Sequence, residues 1–112
     1  MEQEIALAWE GDSLEVMRSF PKGVREDLGA ELRRLQEGNV PLKSRPMQSI
    51  GKRVYELKEQ DERSWYRVIY LAKIEDLIYV LHCFEKKSKK TSRNDLSVAK
   101  TRLKQVLSRI GE

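Results

Sequence analysis

The chain has 112 residues, with 22 Lys and Arg against 18 Asp and Glu, one His and one Cys. That length suits one domain spanning residues 1–112 around a single hydrophobic core. No apolar run approaches the roughly 18 residues needed to cross a bilayer, and the start, Met1-Glu2-Gln3-Glu4, is acidic where a secretory signal is basic, so a cytoplasmic location and no membrane partner are expected.

Taken in chain order, Ile5 to Trp9 is apolar enough for a strand and stops at Gly11. Asp12-Ser13-Leu14-Glu15 supplies an acidic N-cap for a short helix over about residues 13 to 20, whose apolar positions are Leu14, Val16, Met17 and Phe20. Pro21 suits the first turn of a second helix, in which Val24, Leu28, Leu32 and Leu35 recur every three or four residues until Gly38. The two helices should form a hairpin. Residues 39–52, with Pro41, Pro46 and Gly51, read as an irregular connection carrying Lys43, Arg45 and Lys52, with Arg53 just beyond.

Three strands follow, Val54 to Lys58, Trp65 to Lys73 and Leu77 to Phe84, and their short polar connections favour an antiparallel meander. Asn94 or Asp95 then caps a last helix with an apolar stripe of Leu96, Ala99, Leu103, Val106, Leu107 and Ile110. The expected class is α+β, in the order β-α-α-β-β-β-α, with a small antiparallel-rich sheet packed on the helical hairpin.

Charge is unevenly spread along this order. Residues 85–112 hold nine Lys and Arg against three Asp and Glu, whereas residues 1–84 hold thirteen against fifteen. The core of the basic segment, Lys86, Lys87, Lys89 and Lys90, follows directly on the last strand, and a cationic cluster at a sheet end suits a polyanion such as RNA or DNA.

Alternation sorts the faces of the meander. One face collects Tyr55, Leu57, Tyr66, Val68, Tyr70, Ala72, Leu77, Tyr79, Leu81 and Cys83, and should pack on the hairpin. The other mixes Val54, Trp65, Ile69, Ile78, Val80 and an exposed-looking Phe84 with Glu56, Lys58, Arg67, His82 and Lys86. A carboxylate, an Arg and the only His beside a Lys cluster are suitable parts for phosphodiester chemistry.

Each part also has a structural use. Arg67 is either a phosphate ligand or the cross-strand partner of Glu56. His82, with an ordinary pKa of about 6.5, is either a proton-transfer group or a half-buried hydrogen-bonded residue. Trp65 and Phe84 either stack on a base or fill the core. The lysines are best suited to electrostatic roles, because an exposed amine with a pKa of roughly 10 is a poor base. Cys83, alone in an alternating strand, reads as a small buried residue, and one His with one Cys cannot build a zinc site. No metal is implied.

The strings Val54-Tyr55-Glu56-Leu57, Tyr66-Arg67-Val68-Ile69-Tyr70 and Leu81-His82-Cys83-Phe84-Glu85-Lys86-Lys87, in this order of elements, resemble the phage-derived HigB-like toxins of the RelE/ParE superfamily. Gly11-Asp12-Ser13, Arg33-Arg34-Leu35 and Lys89-Lys90-Thr91 with Asp95 are similar to that family as well. The resemblance implies a type II toxin that cleaves mRNA, often on the ribosome, uses no metal or organic cofactor, and is silenced by a cognate antitoxin expected to be a small helix-turn-helix protein.

Relatives of the RelE type attack a phosphate with the adjacent ribose 2′-OH. Carried over by position, Arg67 matches the strand arginine that holds the reacting phosphate, Lys86 a second cationic position and Lys58 a strand lysine. Glu56 stands where RelE has a lysine and is a candidate base, as is His82. Phe84, Lys87, Lys89 and Lys90 are the further RNA-binding candidates. Near Ser92 the chain lacks the Tyr that RelE uses to stack on a base. ParE-like members of the same superfamily poison DNA gyrase and cut no RNA, which is the competing function.

Overall fold

The structure is a computed structural model that describes residues 4–88 and 91–111, the side chain of Lys73 excepted. Lys89 and Lys90 therefore lie outside the described residues. The elements are β1 (Ala6–Trp9), α1 (Ser13–Ser19), α2 (Lys22–Gln36), β2 (Ser44–Pro46), β3 (Val54–Gln60), β4 (Trp65–Ile74), β5 (Leu77–Lys86) and α3 (Arg93–Arg109). They form a five-stranded sheet in the order β1-β5-β4-β3-β2, in which only β1 and β5 run parallel. The expected α+β class holds, with one strand more than the sequence pattern suggests.

That extra strand is β2. It lies inside the segment read as irregular, because three residues with a proline carry no alternation to detect. It forms by pairing with β3, Arg45 opposite Glu56 and Pro46 opposite Tyr55. Proline is tolerated here because β2 is an edge strand, whose outward N–H groups need no partner in the sheet.

Helices cover both faces. Met17 of α1, Phe20 at its C-cap and Val24, Leu28 and Leu32 of α2 pack on Leu57, Tyr66, Val68, Tyr70, Ile78, Val80 and Cys83. Ala99, Leu103 and Val106 of α3 pack on Val54, Ile69, Leu71, Tyr79, Leu81 and Phe84, with Met47 and Ile50 closing that layer.

The face assignment from alternation is correct along β3 and β4 and fails in the first half of β5. Tyr79 and Leu81 belong to the α3 layer, while Ile78 and Val80 face the hairpin. The cause is a bulge: Ile69 pairs with His82 but Tyr70 pairs with Val80, so Leu81 is an extra residue in its strand. One inserted residue exchanges the faces of everything on one side of it. Cys83, beyond the bulge, keeps its hairpin-facing position.

The caps also differ from expectation. Ser92, not Asn94 or Asp95, caps α3, its Oγ accepting from the Asp95 amide at 3.1 Å. Asp12 stands at the N-cap of α1 but makes no side-chain cap bond, because its carboxylate accepts from Arg102 at 2.9 Å. No helix among the described residues is long and apolar enough to cross a membrane.

Candidate active site

The α3 layer stops short of the β3 and β4 ends that carry Lys58 and Arg67, which lie opposite each other in register. Glu56, two residues before Lys58, points to the same face. Arg67 reaches across to it, Nη1 donating to both carboxylate oxygens at 2.9 Å. The pair is buried, with side chains 3% and 0% exposed. A desolvated pair of this kind contributes little net stability, but removing one partner strands the other charge.

Two further groups address Glu56. Thr91, just before α3, donates its hydroxyl to Oε2 at 3.2 Å, and Arg45 on β2 brings Nε to 4.0 Å from Oε1. Both Glu56 oxygens are thus engaged.

The remaining Arg67 donors are not. Nε and Nη2 are buried and have no hydrogen-bond partner among the described residues. Buried donors left unsatisfied are costly and uncommon. These two form the edge of the guanidinium that grips an oxyanion with two parallel bonds. Arg67 lines a groove of about 470 Å³ whose walls include Arg45, Met47, Gln48, Lys58, Thr91 and Leu96. Three cations around one engaged carboxylate leave the groove suited to a phosphodiester. Lys58 also places its ammonium 5.0 Å from the ring centre of Trp65, so one face of that ring carries a cation.

His82 and Lys86 sit apart from this groove, gathered around Asp95. His82 Nε2 lies 2.8 Å from Asp95 Oδ1 and Lys86 Nζ 3.9 Å from Oδ2, while Ser92 Oγ donates to Oδ2 at 2.6 Å. Phe84 does not present the exposed ring expected of it. It is 6% exposed, lies in the α3 layer and stacks on His82 with ring centres 5.0 Å apart. The α3 layer buries it. Lys87 is exposed and does not line the groove.

Cys83 is 1% exposed and its thiol is pushed up to about 12 by burial, which leaves it unreactive at neutral pH. Among the described residues no three His, Cys, Asp or Glu side chains gather as metal ligands.

Arg45, Thr91, Asp95 and Arg102 were not singled out from the sequence as site residues. Arg45 had a signal as one of several cations in the β2 segment, and Thr91 and Asp95 only as parts of the family resemblance and, for Asp95, as a candidate helix cap. The polar contacts of Thr91, Asp95 and Arg102 depend on how α3 docks.

A sheet of this order, covered by a helical hairpin on one side and a C-terminal helix on the other, is a RelE-like α+β fold. The E. coli toxin RelE, solved in the free state as a double arginine-to-alanine mutant, superposes with a TM-score of 0.62 over 93% of this chain and 99% of that one, at 19% identity. Residues 15–104 match the family model described as Phage derived protein Gp49-like (DUF891). The chain belongs to that phage-derived Gp49-like family, a family of RelE-like toxins. No curated protein sequence matches it.

Proposed function

We propose that this chain is the toxin of a type II toxin–antitoxin pair and an endoribonuclease that cuts mRNA, in association with the ribosome, in the cytoplasm. The observation that carries the reading is the buried Arg67, held by Glu56 through one nitrogen and left with a two-donor edge that has no partner among the described residues, in a cationic groove. Such an edge matches two phosphate oxygens, and a charge fixed in a dry site stabilises the phosphorane without reorganising at the moment of reaction.

In the step proposed, the ribose 2′-oxygen forms a bond to phosphorus and loses its proton, the bond from phosphorus to the 5′-oxygen breaks, and that oxygen gains a proton. The products are a 2′,3′-cyclic phosphate and a 5′-OH. Arg67 takes the developing charge, with Lys58 and Arg45 at the flanks. Glu56 acts as the counter-ion that keeps Arg67 in place, since a carboxylate with both oxygens engaged is poorly disposed to accept a proton. Lys86 and Lys87, with Lys89 and Lys90 in the same sequence run, draw the polyanion in at longer range. A cognate antitoxin would block the groove or its basic approach.

Induction of the chain without a partner should halt growth and yield discrete mRNA cuts by primer extension, with cyclic-phosphate and 5′-OH ends. Intact transcripts together with trapped gyrase–DNA breaks would replace this reading with gyrase poisoning.

A further inference from the structure

Behind the groove, a chain of polar contacts runs from the start of α1 to the start of α3. Arg102 of α3 donates through Nη2 to Asp12 at 2.9 Å and through Nη1 to the carbonyl of Leu81, the bulged residue, at 3.0 Å. The guanidinium rests on Gly11, where φ is +54° and a Cβ would come within 2.4 Å of it, so only glycine leaves room for the contact. Arg102 Nη1 also faces His82 Nδ1 at 3.4 Å, and the opposite ring nitrogen faces Asp95.

These partners favour one state of the ring. A guanidinium only donates, so Nδ1 has to accept; a carboxylate only accepts, so Nε2 has to carry the proton. The ring is additionally held by stacking on Phe84. Asp95, held on one oxygen by His82, uses the other for Ser92 and lies near Lys86. Thr91, which reaches Glu56 and lines the groove, immediately precedes the Ser92 cap.

We propose that Arg102 and His82 are positioning residues: Arg102 holds His82 as the neutral Nε2–H tautomer, and His82 in that state anchors Asp95, which fixes the first turn of α3 and with it Thr91 along the groove. In this role His82 transfers no proton to or from RNA. The catalytic consequence rests on the nuclease reading above; the tautomer does not.

His82 is the only histidine, so ¹⁵N-histidine labelling gives one unambiguous pair of ring nitrogens. At neutral pH the spectrum should show a protonated Nε2 and an unprotonated Nδ1, and Arg102→Lys, which cannot hold Asp12, Leu81 and His82 together, should convert it to a tautomer mixture. In cleavage assays His82→Gln, whose amide can still donate to Asp95, should keep most of the wild-type kcat and an unchanged pH profile. His82→Ala should lose up to about a hundredfold in kcat, the scale of a misplaced reacting geometry, with KM little altered. An Nδ1–H tautomer, an imidazolium at neutral pH, or a His82→Gln variant as slow as His82→Ala would overturn the proposal and leave the nuclease reading standing. A wild-type protein that cleaves no RNA but shows the Nε2–H tautomer, lost in Arg102→Lys, would remove the nuclease reading and leave the bridge in place.

Discussion

The two faces of the sheet are buried to a similar degree by different means. Against α1 and α2 the sheet offers Leu57, Val68 and Val80, each 0% exposed, and its buried tyrosine hydroxyls have partners, Tyr70 with Ser44 at 2.7 Å and Tyr66 with Asp61 at 3.1 Å, while α2 adds the buried Glu31, which accepts from the Lys43 amide at 2.9 Å, and a buried Arg34 Nε with no partner among the described residues. Against α3 the sheet begins as an equally apolar layer and ends in Glu56 and Arg67, with two guanidinium nitrogens unsatisfied among the described residues. The strands themselves present satisfied groups to the hairpin, whereas toward α3 they keep an electrostatic cost at one end, in the buried Glu56–Arg67 pair. Costs of that kind concentrate where a ligand is to be bound, because the ligand relieves them.

Arg67→Ala should show the largest effect, since it acts on both properties of the second face. Leaving Glu56 buried without its partner should cost about 3–5 kcal/mol in urea unfolding. Cleavage should fall by about 10²–10³ as a fixed transition-state cation is lost. Arg67→Lys separates the two, because it keeps a charge near Glu56 but has no two-donor edge. A lysine variant that cleaves at the wild-type rate would show that the unpartnered edge has no part in the reaction.

Leu28→Ala is the matching change on the hairpin side. Leu28 is 0% exposed, and its truncation should cost about 2–5 kcal/mol. Cleavage per folded molecule should stay at the wild-type value. A fall in the activity of the folded fraction would mean that the two faces are coupled and not merely adjacent.

A smaller effect is expected at the groove walls. Replacing Arg45 and Lys58 by Ala should change stability by no more than about 0.5 kcal/mol each, both side chains being partly or largely exposed. The salt dependence of RNA association should flatten by roughly 0.7 of a unit in log–log slope for each phosphate that the variant no longer neutralises. An unchanged slope would place the RNA elsewhere on the surface.

The smallest effect near neutral pH belongs to Cys83, on the apolar face. Its thiol titrates at about 12 when folded and at the ordinary 9.0 when unfolded, so the folded state keeps its proton to higher pH. The associated stability is complete below pH 9.0 and is lost as pH rises from there through about 12. Alkylation of the native protein at pH 8 should be slow until denaturant is added, and Cys83→Ala should remove this alkaline component. Rapid labelling of the native thiol would show that the hairpin layer opens readily.

Local pattern carried the elements because it depends only on neighbouring residues. The apolar repeat of Val24, Leu28 and Leu32 required a helix, and the order of strands and helices, with their family resemblance, pointed to the RelE-type architecture. Alternation also put Glu56 and Arg67 on one face of β3 and β4, where no residue interrupts the period. What depended on distant parts of the chain could not be read this way. The bulge at Leu81 exists only relative to β4, and counting by twos across it exchanged Tyr79 with Val80, while Phe84, on the face expected, looked exposed because the pattern does not show that α3 covers it. β2 has no pattern of its own and exists as a strand because β3 pairs with it, which is what brings Arg45 to the groove. The docking of α3 engaged His82 with Asp95 and Arg102, and Glu56 with Thr91. Composition could nominate these side chains for chemistry; only packing between residues tens of positions apart determined which of their polar atoms were already used and which were left for a phosphate.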